Sequence, residues 1–266
     1  MQLYNLTRAD LTDSLRRLYR YAPWNPYTID VITRKHLYLA TAGQMNDEWE
    51  FRIHYVQRNN SVGSLEDMFH NLEVQLTVDG ESVSEPFQDQ NPVLWEADTQ
   101  IIDSDRENIG TACFTVSNNN SMMWYHYADR YSGVCMEFTN FFSEDILNRD
   151  GVFGRVSYGD YPNIDIINES RSNPSHIDPL YRFFYKANEW KQEKEYRYIV
   201  PICQRHDRYF PFDNGVLSAI YCGFRMEEHT LSLLYDLATR DNDSVTVYRS
   251  SLRENGFGLE FNEYTP

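Results

Sequence analysis

The spacing of apolar and polar positions divides the chain into short elements of two periods. Leu11 to Arg17 has helical spacing and leads into Leu18-Tyr19-Arg20-Tyr21, an aromatic-rich strand closed by Ala22-Pro23. Tyr27 to Arg34 predicts a short helix, His36 to Ala40 a strand, and Gly43 to Asp47 a turn. Further on, Thr111 to Val116 reads as a strand. Ser117 to Asn120 then offers N-cap side chains for a helix from Ser121 to about Arg130, and Gly133 to Phe138 reads as another strand. Tyr181 to Lys191 is helical in pattern, and Glu195 to Pro201 is strand-like through its Tyr, Ile and Val content. The end of the chain repeats that grammar, with strands at Val216 to Tyr221, Val245 to Tyr248 and Gly258 to Phe261, and a helix at Met226 to Ala238. Strands separated by helices of mixed length, with no Gly-rich phosphate loop, predict an α+β fold rather than a doubly wound sheet. No internal repeat and no low-complexity segment interrupts the pattern.

One stretch breaks the periodicity. Ser61 to Gly110 holds twelve acidic residues against Arg106 and no Lys. Leu65, Met68, Phe69, Leu72, Val74 and Leu76 suggest an amphipathic helix within it, and Gly80 to Asn91 a polar loop. The block, about 61–110, reads as an acidic insertion on one α+β domain that spans 1–266. Its two readings are a solvated face and a docking surface for a basic partner.

Composition sharpens this picture. Hydrophobic residues are 41% and aromatics 15% of the chain, enough to bury large planar side chains. No run of about 18 apolar residues occurs, and Met1 to Asp13 lacks the order of a secretion signal, so no membrane partner and a cytoplasmic location are expected. The formal charge of −16 disfavours nonspecific nucleic-acid or anionic-membrane binding, while leaving room for a local basic groove. Cys113, Cys135, Cys203 and Cys222 are scattered through apolar stretches without paired spacing and read as reduced core residues.

Candidate chemistry concentrates in Trp190-Lys191-Gln192-Glu193-Lys194-Glu195-Tyr196-Arg197-Tyr198. Strand alternation would place Glu193, Glu195 and Arg197 on one face, two carboxylates beside a guanidinium; the plain alternative is an exposed strand entrance with weak surface ion pairs. In Ser121 to Asp129, Met122 and His126 are four apart and would share an apolar helix face, where a histidine is usually a packed core residue. Arg20-Tyr21 closes the first strand and Tyr38 lies on the next; an arginine there can clamp a phosphate. Glu189-Trp190-Lys191, with Asp178 upstream, has the form of a metal-dependent nuclease motif. No histidine pair has metal-ligand spacing.

Four segments taken together resemble a bacterial family, domain of unknown function 2971. They are Leu18 to Tyr21; Leu37-Tyr38-Leu39-Ala40 with Asn46-Asp47-Glu48-Trp49-Glu50; Cys113-Phe114-Thr115 through Met123 to Ala128 and on to Gly133-Val134-Cys135-Met136-Glu137-Phe138; and Trp190 with Glu193 to Arg197. Glu48 stands where the family usually has proline. A weaker similarity is to the ADP-ribosyltransferase fold, with its early Arg or His, an aromatic or Ser-Thr-Ser segment, and a later catalytic Glu, although a Tyr replaces the early His and no Ser-Thr-Ser occurs.

That second resemblance implies a split antiparallel or mixed sheet with surrounding helices, and NAD as a substrate whose ADP-ribose passes to RNA, DNA or protein. It implies Glu195 as the catalytic carboxylate and Glu193 as the group that orients or deprotonates the acceptor. Arg20, Tyr21, Tyr38, Thr41 and His126 are the expected dinucleotide contacts, with Arg20 on the pyrophosphate and Tyr38 stacked on nicotinamide. The biological expectation is a toxin or phage-defence effector, with a neutralising antitoxin protein as partner. A metal-dependent nuclease and a non-catalytic protein-binding module are the rival readings.

Overall fold

A computed structural model describes residues 1–13, 15–51, 54–56, 106–160, 163–165, 180–202, 208–240 and 244–266. The chain is α+β and divides into two compact units, 1–40 with 109–156 and 189–266, and 41–108 with 157–188. The expected helix at Leu65 to Leu76, the loop at Gly80 to Asn91, Cys203 and Asp178 lie outside the described residues.

Among the described residues, the first unit holds two larger sheets and a two-stranded ribbon. One runs in the order β1 (Gln2–Tyr4), β7 (Val152–Arg155), β11 (Tyr196–Pro201), β5 (Ile109–Phe114). The other runs β15 (Leu259–Glu263), β14 (Thr246–Leu252), β13 (Leu217–Cys222), β6 (Val134–Thr139), β2 (Arg17–Ala22). Both are mixed: β1–β7 and β13–β14 are parallel, the other neighbours antiparallel. A bridge between Tyr19 and Thr115 joins β2 to the residue after β5. Strand alternation sends Phe114, Phe153 and Tyr198 of one sheet and Leu18, Met136, Phe138 and Ile220 of the other into a shared core, closed by Leu231, Leu234 and Ala238 of the helix Glu228–Thr239. An antiparallel ribbon, β3 (His36–Tyr38) with β12 (Tyr209–Pro211), adds Leu37 and Phe210 to it.

The second unit contains the parallel pairs β8 (Ser157–Gly159) with β10 (Tyr185–Ala187) and β4 (His54–Val56) with β9 (Asn163–Asp165). Its centre is ionic as well as apolar. Lys186 Nζ lies 3.1 Å from Glu50 Oε1 with both side chains buried, Arg106 donates to the Glu50 carbonyl, and the Phe51 and Phe183 rings meet edge to face at 4.9 Å.

Local chemistry explains most boundaries. In the helix Pro26–Arg34, the Asn25 side chain accepts from the Thr28 N–H, proline opens the first turn, and Lys35 ends it in the left-handed region at φ 53°. The expected Leu11 to Arg17 helix is displaced to Arg8–Asp13. Its start is set by a capping box that the apolar spacing does not show: the Asp10 carboxylate accepts from the Thr7 N–H at 2.7 Å, and the Asp10 N–H donates to the Thr7 hydroxyl at 3.3 Å.

Two further expectations are corrected. The helix from Ser121 ends at His126 rather than near Arg130, because Asp129, Arg130 and Tyr131 have φ of 44°, 53° and 71°, a left-handed turn that right-handed helix cannot continue. The helix expected over Tyr181 to Lys191 is instead a 3₁₀ turn (Tyr181–Phe184), strand β10 and a second 3₁₀ turn (Asn188–Glu193). Here pairing with β8 and the buried Lys186–Glu50 contact outweigh local helical spacing.

Candidate functional site

Glu195 and Arg197 form the most tightly built polar feature of the first unit. Arg197 Nε donates to Glu195 Oε1 at 2.7 Å and Nη2 to Oε2 at 3.0 Å, a two-pronged pair with Arg197 0% and Glu195 5% exposed. The Glu195 carbonyl accepts from the Val156 N–H at 3.0 Å, which fixes the residue just ahead of β11. The exposed strand entrance with weak surface pairs is therefore overturned. Desolvated charges at this depth are costly unless each satisfies the other, and the two-pronged geometry does so.

Glu193 does not extend the same strand face. Strand β11 begins at Tyr196, and Lys194, at φ 48°, breaks the alternation that would align Glu193 with Glu195. Glu193 ends the 3₁₀ turn and is buried by other means: the Tyr127 hydroxyl donates to its Oε1, and the Thr115 hydroxyl donates to its carbonyl at 2.6 Å. Asn120 ties the same turn to the helix Ser121–His126. Its side-chain Oδ1 accepts from the N–H groups of Met122 (3.0 Å) and Met123 (3.3 Å), while its side-chain Nδ2 donates to the Gln192 carbonyl at 2.7 Å.

Arg20, on β2, donates from Nη2 to the Tyr38 carbonyl at 3.3 Å, and its Nη1 is sealed from solvent with no hydrogen-bond partner. Burial holds its guanidinium below the ordinary arginine value, and its charge is coupled to Cys113. Cys113 is the backbone register partner of Arg197 on β11.

The remaining candidates scatter. Tyr21 is a structural residue: its hydroxyl donates to the Ser117 carbonyl at 2.9 Å and accepts from the Asn120 N–H at 3.2 Å, its ring meets Trp124 edge to face at 5.3 Å, and burial raises its pKa. The Tyr38 ring is occupied by Tyr27 and Tyr209 at 5.2 and 5.9 Å, which corrects the expected stack on nicotinamide; its backbone carbonyl is what meets Arg20. Thr41 belongs to the second unit, where its N–H donates to the Gln44 side chain at 3.0 Å. His126 and Met122 are exposed rather than packed, because the six-residue helix turns Trp124 inward instead. Glu189 is also exposed, on a 3₁₀ turn. Among the described residues no group of three His, Cys, Asp or Glu side chains gathers as a metal site.

A further cluster escaped the sequence reading. Glu137, on β6, is 6% exposed and accepts from the Tyr221 hydroxyl at 2.8 Å and the Ser218 hydroxyl at 2.9 Å, with Arg17 Nε at 3.9 Å. Burial first, and the Glu137 carboxylate next, push Tyr19 up to about 12. Burial and the hydrogen bond to Glu137 likewise hold Tyr221 well above the ordinary tyrosine value. A lone glutamate in the apolar run Val134 to Phe138 was the available signal, since unpaired carboxylates are rarely buried.

Glu137, Tyr127, Glu193, Glu195 and Arg197 all fall inside residues 123–198, the segment that matches the family described as Protein of unknown function (DUF2971). No curated protein and no solved structure matches the chain. The buried carboxylates and their partners thus lie in the segment through which this chain is similar to the DUF2971 family.

Proposed function

We propose that the first unit is an ADP-ribosyltransferase-like catalyst that cleaves NAD and passes ADP-ribose to a macromolecule, acting as a toxin or phage-defence effector. The observation that carries this reading is Arg20. A sealed guanidinium nitrogen without an acceptor is costly, and the Arg20 charge is felt by Cys113, the backbone register partner of the Arg197 that holds the buried Glu195. An oxyanion of a pyrophosphate satisfies such a donor.

In this scheme Arg20 holds the pyrophosphate and Glu195 faces the ribose. The bond between ribose C1′ and the nicotinamide nitrogen breaks with its electron pair leaving on nicotinamide. The Glu195 carboxylate stabilises the positive charge that develops on the ribose. A lone pair of the acceptor then closes on C1′, and its proton passes to Glu193, whose position is fixed by Tyr127. Arg197 positions Glu195.

The test is nicotinamide release from NAD, read by chromatography, with mass analysis of acceptors. The wild type releases nicotinamide, and Arg20→Gln lowers the rate by about a hundredfold or more, a loss of order 3 kcal/mol in transition-state stabilisation. Because the replacement removes an unsatisfied buried charge, its unfolding midpoint stays level or rises. Wild-type turnover in Arg20→Gln, or no release by the wild type, discards the reading. Glu195→Gln is a second probe, run beside a thermal melt because it also weakens the partner of a buried arginine.

A further inference from the structure

Strand β15 closes one side of the five-stranded sheet, and its outer edge carries main-chain groups that the sheet does not use. Antiparallel pairing turns the N–H and C=O groups of alternate residues toward the neighbouring strand and those between them away from it. The Tyr264 N–H donates to the Val247 carbonyl at 2.8 Å, so the even-numbered residues of β15 bond to β14, and Leu259, Phe261 and Glu263 face outward. Leu259 confirms the direction. From outside the sheet, the Asn119 side chain accepts from its N–H and donates to its carbonyl, both at 2.9 Å, as a residue of a further strand would. Among the described residues, nothing pairs with the outward groups of Phe261 and Glu263.

Open edges usually carry charge that discourages association. Here the charge is mostly of one sign. Glu254, Glu260 and Glu263 are exposed and stand in no ion pair among the described residues, whereas Arg253, the single cation of the stretch, donates from Nε to the Leu259 carbonyl at 3.2 Å. The hairpin that joins β14 to β15 adds an apolar contact point. Gly258, at φ 101°, turns the chain into β15, and the Phe257 ring ahead of it is fully exposed, at the same end of the hairpin as Leu252, which is 63% exposed.

We propose that the outer edge of β15 receives an extended, basic segment of another protein as a sixth strand. The main chain of that segment exchanges hydrogen bonds with Phe261 and Glu263, and its lysine or arginine side chains meet Glu260 and Glu263. Beyond Asn119 the segment reaches the hairpin tip, where an apolar side chain packs on Phe257. A second copy of this chain is the poorer occupant. Antiparallel pairing of two β15 edges about Phe261 would set Glu263 against the Leu259 that Asn119 already holds, and would gather the carboxylates of both copies along one seam. The inference concerns binding alone and stands apart from the NAD reading, because its test contains no NAD.

The test is selection of displayed random 12-residue peptides on the immobilised full chain, followed by fluorescence anisotropy with the synthesised consensus peptide. Selected sequences alternate Lys or Arg with Val, Ile or Thr, and the consensus binds more tightly at low salt. Glu263→Gln weakens it about two- to threefold, the usual value of an exposed ion pair. Glu263→Pro also removes an outward N–H while leaving the bonds to β14 in place, and weakens it about fivefold further, as the loss of one hydrogen bond gives. Glu260→Lys combined with Glu263→Lys weakens it at least tenfold, and Phe257→Ala about fivefold. No enrichment, an acidic or proline-rich consensus, or a consensus that binds Glu263→Pro and the double lysine variant as tightly as the wild type overturns the proposal. Circular dichroism checks folding. Where Glu263→Pro disturbs it, the double lysine variant and Phe257→Ala decide, because all three side chains are exposed.

Discussion

At the scale of single residues, buried polar groups define this molecule. Tyr19 illustrates how its surroundings act. Its hydroxyl reaches Glu137, and its pKa is raised from the ordinary 10.0 to about 12. Tyr198 moves to about 12 as well, chiefly through burial. A phenol whose folded value lies above its unfolded one stabilises the fold fully below the unfolded value, and that stabilisation is lost as pH rises through the folded one. Thermal unfolding midpoints should therefore hold to about pH 10 and fall between about 10 and 12, with a shallower fall in Tyr19→Phe. A midpoint that declines equally in wild type and variant would remove Tyr19 from the account. Glu195 and Arg197 were legible as chemistry in the motif but not as a desolvated pair, since burial depends on what covers β11 and not on spacing along it.

At the scale of elements, the turn after the helix Ser121–His126 stands out. Three successive non-glycine residues, Asp129, Arg130 and Tyr131, take positive φ. Each such residue costs on the order of 1 kcal/mol. Surrounding bonds hold the turn: the Gly133 N–H donates to the Ala128 carbonyl at 2.8 Å and the Arg225 N–H to the Tyr131 carbonyl at 3.0 Å, while the Tyr131 and Trp124 rings stack at 6.2 Å. A side chain at Gly133 would run into the Ala22 carbonyl, so only glycine lets β6 start beside the end of β2. Arg130 is exposed and has no comparable packing role. Arg130→Gly should raise stability by roughly 1 kcal/mol, measurable as a higher urea midpoint at constant m. A lower midpoint would mean that the guanidinium over the Tyr125 ring, 5.7 Å from its centroid, outweighs the backbone strain.

At the scale of the whole molecule, the two sheets of the first unit share one aromatic core. Phe138 of β6 meets Phe114 of β5 at 5.8 Å, Phe141 at 6.1 Å and Phe212 at 5.5 Å. Phe138→Ala should cost about 3–5 kcal/mol. That is a large part of the 5–15 kcal/mol typical of a folded domain, and denaturant titration would show it as a drop in midpoint. Phe257→Ala is the control, since that ring is fully exposed and its loss should move the midpoint little. A small effect at Phe138 would show that the sheets do not depend on this contact. Among the described residues, no helix is long and apolar enough to cross a membrane.

The sequence by itself determined the local elements and the chemistry on offer. Strands at β2, β6, β11 and β13, the helices Pro26–Arg34 and Glu228–Thr239, and the family segment all follow from period, caps and motif, because side-chain spacing and local hydrogen bonding act over a few residues. Only the tertiary structure decided that Arg20 is left with an unsatisfied donor and that Glu137 of β6 meets hydroxyls from β13 and β2. It also decided that the Tyr27, Tyr38 and Tyr209 rings form one contiguous series although more than 170 residues separate the first two from the third. Those outcomes depend on which strands become neighbours, a choice made by burying one shared core, and no window of sequence contains it.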